Sequence, residues 1–96
     1  MKKREKIYIN VNTDFDSTGY MIPRSIIWTD GRVFHIDDVR DFRPASYFEK
    51  GRNCDCYTVV IHGEEKLLFF EKTDEFFSSR VGRWFVECLL YDQVVN

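Results

Sequence analysis

Ninety-six residues are enough for one hydrophobic core and too few for two, so the chain reads as a single small domain. Fourteen basic against sixteen acidic side chains leave a net charge of -2, which excludes a global field that would draw the protein to DNA, RNA or an anionic membrane. No run of about eighteen apolar residues occurs, so no membrane span is expected.

The basic start MKKREK resembles the head of a secretory signal, but IYINVNTDFD, which follows it, has too short an apolar run for a signal core. The expected compartment is therefore the cytoplasm. Three cysteines, an odd number, point there to reduced thiols rather than to a disulfide framework. Nine Phe, five Tyr and two Trp beside many Val, Ile and Thr suit half-buried pleated surfaces rather than long helices.

Taken in chain order, residues 1–5 are expected to be a flexible basic segment. Residues 6–12 set Ile7, Ile9 and Val11 against Tyr8, Asn10 and Asn12, the period-two pattern of a strand with one wet face. DFDSTG, residues 14–19, is turn-rich, and Pro23 permits an extended entry into a second strand over residues 24–29. In IIWTDGRVFHIDDV a three-residue loop, Thr29, Asp30 and left-handed Gly31, pairs Trp28 with Arg32 and Ile26 with Phe34. That register puts Ile26, Trp28, Phe34 and Ile36 on one face. A two-residue turn would split them. The guanidinium of Arg32 is then expected over the Trp28 ring.

The strand continues through Val39 toward Phe42 with alternating charge, the mark of a solvated face. Residues 44–51 suit one helical turn between Pro44 and Gly51. Residues 56–61 and 66–70 form a second hairpin, expected to turn at Gly63-Glu64 and so to pair Val59 with Leu68 and Tyr57 with Phe70. Residues 73–82 suit a short helix capped by Thr73 and stopped by Gly82, and a last strand covers residues 83–91. The sum is an all-β antiparallel meander of about six strands, a partly open SH3-like barrel or curled sheet, with at most one or two short helical turns.

The pattern I-x-W-x-D-G-R-x-aromatic-x-I-D-x-V, carried by Ile26, Trp28, Asp30, Gly31, Arg32, Phe34, Ile36, Asp37 and Val39, is followed by YTVVIHG and RWFVE. With these, most of residues 7–87 resembles a group of small single-domain bacterial proteins of unknown function from Gram-positive anaerobes. The resemblance implies a compact β fold and cytoplasmic residence, and it brings no activity or catalytic residue. Members of that group tend to a glycine-rich loop before the YT pair. Here it reads KGRNCDC, so the cysteines look peculiar to this chain.

No Gly-x-Ser-x-Gly, His-Glu-x-x-His or phosphate-loop motif occurs, and His35 and His62 join no nucleophile by spacing, so the protein is expected not to be an enzyme. Cys54 and Cys56 share one side of a strand with His62, yet structural zinc wants four ligands and a second cysteine pair is absent. These three are weak metal candidates, no cofactor is expected, and Cys88 reads as a small buried hydrophobe. Eight arginines against six lysines, interleaved with aromatics, suit protein interfaces or phosphate contacts. From this set Trp28, Arg32, Arg40, Arg43, Arg83 and Trp84 are the candidate binding residues, set against the plainer reading in which the arginines pair with the abundant acids. Phe69, Phe70, Phe76, Phe77 and Phe85 exceed what one small core hides, and a meander leaves open strand edges. Both features favour a protein partner or self-association as a homodimer over nucleic acid, with no membrane role.

Overall fold

The computed structural model describes residues 4–45, 54–72 and 81–89, and among these there is no helix. Seven strands follow in order: β1 (Arg4–Phe15), β2 (Met21–Ile27), β3 (Val33–His35), β4 (Asp38–Arg43), β5 (Cys54–Ile61), β6 (Glu64–Lys72) and β7 (Gly82–Leu89). They make an all-β antiparallel sheet in the order β3-β2-β1-β7-β6-β5-β4, curled like an opened barrel. No helix of the described residues is long and apolar enough to cross a membrane.

Two segments that change partners produce the curl. β1 is long enough to serve two neighbours: residues 4–9 lie along β7, and residues 10–15 lie along β2. The second crossover is the two-residue step from β3 to β4, where Ile36 donates its N–H to the Arg24 carbonyl at 2.9 Å and Asp37 donates to the Val60 carbonyl at 2.8 Å. The first and last strands of the sheet are therefore halves of one extended segment. Strands that switch sheets in this way form the corners of barrel-like packings. The expected six strands become seven for the same reason, since the third divides at the switch.

Alternation fills the interior. Ile9, Ile26, Tyr57, Val59, Leu68, Phe70 and Trp84 are buried together, with Ile7, Val11, Trp28, Phe34, Ile36 and Val39 packed around them. The Trp84 ring lies between Tyr57 at 5.4 Å and Phe70 at 4.9 Å, an aromatic centre that holds β5, β6 and β7 in register. A bulge between Val39 and Asp41 turns both Val39 and Phe42 toward Val59 and Tyr57, leaving the charged positions of β4 outside.

The first hairpin has the expected geometry. Gly31 has φ 90, its N–H reaches the Trp28 carbonyl at 2.9 Å, Trp28 N–H reaches the Arg32 carbonyl at 2.8 Å, and Ile26 faces Phe34. The second hairpin corrects the expectation, because it turns at His62-Gly63, with φ 52 and 76, so that Tyr57 faces Leu68 and Val59 faces Lys66. A type I′ turn needs positive φ at both central residues. The expected Gly63-Glu64 turn would have forced a glutamate there, whereas histidine enters that region more readily.

Further differences lie at strand ends. β1 begins at Arg4, inside the segment expected to be flexible, because the backbones of Arg4 and Glu5 pair with those of Leu89 and Cys88. β2 is Met21–Ile27 rather than residues 24–29, and it accommodates Pro23 through a bulge opposite Asn12 and Thr13. Gly82 opens β7 instead of stopping a helix. A Cβ there would lie 2.5 Å from the Glu71 carbonyl oxygen, so only glycine lets the strands approach. The helical turns expected within residues 44–51 and 73–82 fall mainly on residues 46–51 and 73–80, outside the described residues, as do residues 90 and 91 of the last strand.

Candidate functional site

The β6–β7 ladder is short. It pairs residues 69–72 with residues 82–85, whereas β5–β6 pairing runs back to Glu64 and β1–β7 pairing runs on to Leu89. Toward the His62-Gly63 turn the sheet therefore parts: among the described residues, 64–68 pair with β5 alone and 86–89 with β1 alone. Local sequence accounts for the split. The inward positions of β6 are Phe70 and Leu68, both buried, and then Lys66 and Glu64, both exposed, so side chains that would fill the barrel give way to side chains that seek water.

An apolar cleft of about 610 Å³ occupies the gap. Its apolar lining comprises the buried Ile26, Val59 and Phe69, the half-buried Trp28, Phe34, Ile61 and Val86, and the exposed Leu67. Arg4, His62, Glu64, Lys66, Glu87 and the half-buried Cys88 stand around it, with Lys66 held to Glu64 at 3.1 Å. The His62 ring meets Phe34 edge-on, centroids 6.3 Å apart.

Of the sequence-derived candidates, Trp28 and Arg32 belong to this end of the molecule. Trp28 lines the cleft, half-buried. Arg32 is not over Trp28, as expected, but over Phe34, 5.4 Å from the ring centre. The reason is Asp30, whose carboxylate takes Arg32 Nε at 2.6 Å and the Arg32 backbone N–H at 3.0 Å, tying the guanidinium to its own loop. Those contacts hold the Asp30 carboxyl below its usual range, the backbone N–H first among the lowering causes.

Arg83 and Trp84 are neighbours on β7 and so face opposite ways. Trp84 is in the core. Arg83 is outside, its guanidinium 4.0 Å from the centre of the Tyr8 ring and 2.9 Å from Glu71 Oε1. Glu71 also accepts from Lys6 Nζ at 2.8 Å and from the Tyr8 hydroxyl at 3.2 Å. The hydrogen bond from Lys6, followed by that from Arg83, holds the Glu71 carboxyl below its ordinary range, and the same Lys6–Glu71 bond raises the Lys6 ammonium. Arg40 and Arg43 are exposed on β4, 3.4 Å from Asp38 and 3.2 Å from Asp41 respectively. Trp28, Arg83 and Trp84 nevertheless border one shallow opening of about 580 Å³ beside Tyr8 and Thr29, whereas Arg32, Arg40 and Arg43 do not line it.

Cys54 and Cys56 lie on β5 opposite Glu71 and Phe69, while His62 is in the turn beyond. No group of three or more His, Cys, Asp or Glu among the described residues is placed to hold a metal ion. Cys88, expected to be buried, is half-buried at the cleft rim. The phenylalanines singled out as surplus are hidden where described: Phe69, Phe70 and Phe85 are all buried, while Phe76 and Phe77 lie outside the described residues. Exposed large apolar side chains among the described residues are Tyr8, Val33 and, at the cleft, Leu67, together with Phe15, Tyr20, Phe42 and Val81, the last four lining a second opening of about 760 Å³ between β4 and the β1–β2 turn.

Sequence reasoning missed Ile61, Leu67 and Val86 as site residues. The one available signal was the change from Leu68 to Lys66 and Glu64 along the inner face of β6.

Fold and site together define a small curled β-sheet protein with an apolar cleft opening between two strand edges. None of the protein-family models, curated proteins or solved structures compared with the chain matches it.

Proposed function

We propose that the protein is a non-catalytic cytoplasmic β-module that acts by binding a protein partner, with the β6–β7 cleft as its site. A single observation carries the reading: an apolar lining and two strand edges without ladder partners across the gap share one opening. An extended segment entering such an opening gains backbone hydrogen bonds along an edge while alternate side chains drop against the apolar lining. The charge distribution favours protein over nucleic acid. Arg24, Arg32, Arg40, Arg43 and Arg83 each lie within salt-bridge distance of a carboxylate, which a phosphate would have to displace.

Selection of a random peptide library displayed on phage tests the reading, with counter-selection on the Ile61→Lys and Leu67→Glu variants. Extended peptides with alternating apolar residues are expected to be enriched, and to bind either variant at least about tenfold more weakly. Absence of enrichment, or equal binding to folded variants, overturns the assignment.

A further inference from the structure

Among the described residues β4 is the end strand of the sheet and pairs on one side only, with β5. Its sequence is Asp38, Val39, Arg40, Asp41, Phe42, Arg43, and its four charged side chains are all exposed. Read backwards, every acid becomes a base and every base an acid. We propose that β4 pairs antiparallel with β4 of a second copy about a two-fold axis between Arg40 and Asp41.

In that register Asp38 faces Arg43 of the other copy, Arg40 faces Asp41, and Val39 faces Phe42. Each alternative nearby is repulsive. A slip of one residue either way sets Arg40 against Arg40 or Asp41 against Asp41, and a slip of two sets Asp38 against Asp41 or Arg40 against Arg43. Opposite charges directly across a ladder stabilise it and like charges do the reverse, so the charge pattern selects one register from five.

Side-chain direction agrees. The β4 bulge turns Val39 and Phe42 to the same side, as residues directly opposed in an antiparallel pair must be, and Asp41 and Arg43 face outward with Thr58 and Cys56. The ion pairs now inside the strand, Asp38 with Arg40 and Asp41 with Arg43, are exposed and exchange partners at little cost. Pro44, which has no N–H, closes the edge immediately after Arg43. Phe42 also lines the second opening beside β4, together with the exposed Phe15, Tyr20 and Val81, so a second copy at this edge covers apolar surface that one chain leaves in water. The surface is separate from the β6–β7 cleft and stands independently of the reading given to it.

Sedimentation equilibrium of the full chain and of charge-reversed variants tests the pairing. The wild type is expected to dimerise reversibly. Asp38→Arg alone sets two bases opposite each other and Arg43→Asp alone sets two acids, so each is expected to weaken self-association at least about fivefold. A mixture of the two variants places every charge opposite its counterpart again and is expected to restore dimers of wild-type affinity. Circular dichroism confirms that each variant is folded. A monomeric wild type, or a dimer indifferent to both reversals, overturns the proposal. Either result leaves the peptide selection at the cleft unaffected, so the two assignments fail separately.

Discussion

Ile36 and Asp37 are adjacent in the chain yet serve opposite ends of the sheet, one donating to Arg24 on β2 and the other to Val60 on β5. Their shared peptide link closes the curl. Both amides are expected to exchange with solvent as slowly as those of β5, although Asp37 is exposed and neither residue belongs to a strand. Replacing Asp37 by proline removes the donor to Val60 and is expected to cost about 1–3 kcal/mol in urea unfolding, with Asp37→Ala nearly neutral. Equal effects from both substitutions would mean the backbone bond is not what closes the sheet.

At the start of β7 the critical property is the absence of a side chain. Gly82→Ala would bring its methyl group to 2.6 Å from Phe70 Cζ as well as against the Glu71 carbonyl oxygen. The aromatic ring can shift but the backbone of β6 cannot do so without loss of pairing. A destabilisation of about 1–3 kcal/mol is expected, read as a lower denaturation midpoint with unchanged slope.

The turn at His62 separates two roles of one residue. Its left-handed backbone, φ 52, is disfavoured for β-branched side chains, so His62→Val is expected to lose about 1–2 kcal/mol. Asparagine followed by Gly63 suits the type I′ turn, and His62→Asn is expected to remain within about 1 kcal/mol of wild type even though the ring contact with Phe34 is lost. Thermal melts of the two variants distinguish the backbone requirement from the aromatic contact.

Stability should depend on pH through the Lys6–Glu71 pair. Because Glu71 is held below its ordinary 4.5, its contribution is in place above that value and is lost as pH falls through the lower folded pKa. Lys6 is raised above 10.5, so its contribution is in place below that value and disappears as pH rises through the higher folded pKa. Glu71→Gln is expected to flatten the acid limb of the stability profile and to remove the Lys6 shift, both measurable by NMR titration and denaturant midpoints. An acid limb unchanged in the variant would assign the loss to other carboxylates.

How much was legible varied with the range of the interaction. The β2–β3 hairpin followed from Ile26, Trp28, Phe34 and Gly31 because only one loop length keeps the large apolar groups together. The β5–β6 hairpin resisted the same treatment. Both faces of that ribbon are apolar, so two registers differing by two residues look equally good, and the backbone preference at His62-Gly63 decided between them. Arg32 was placed in the correct loop but over the wrong ring, because the competition between Trp28 and Phe34 was settled by the hydrogen bonds of Asp30.

Alternation of apolar and polar residues, together with turn chemistry, was by itself sufficient to determine an all-β antiparallel protein and one hairpin to the residue. These are local properties, set by which side of a strand a residue occupies and which φ a loop position demands. Tertiary structure alone decided that β1 serves two neighbours, that Ile36 and Asp37 join opposite ends of the sheet, and that β6 and β7 part to open a cleft. Each of those depends on which strands meet, and side-chain periodicity within one strand carries no information about its neighbour.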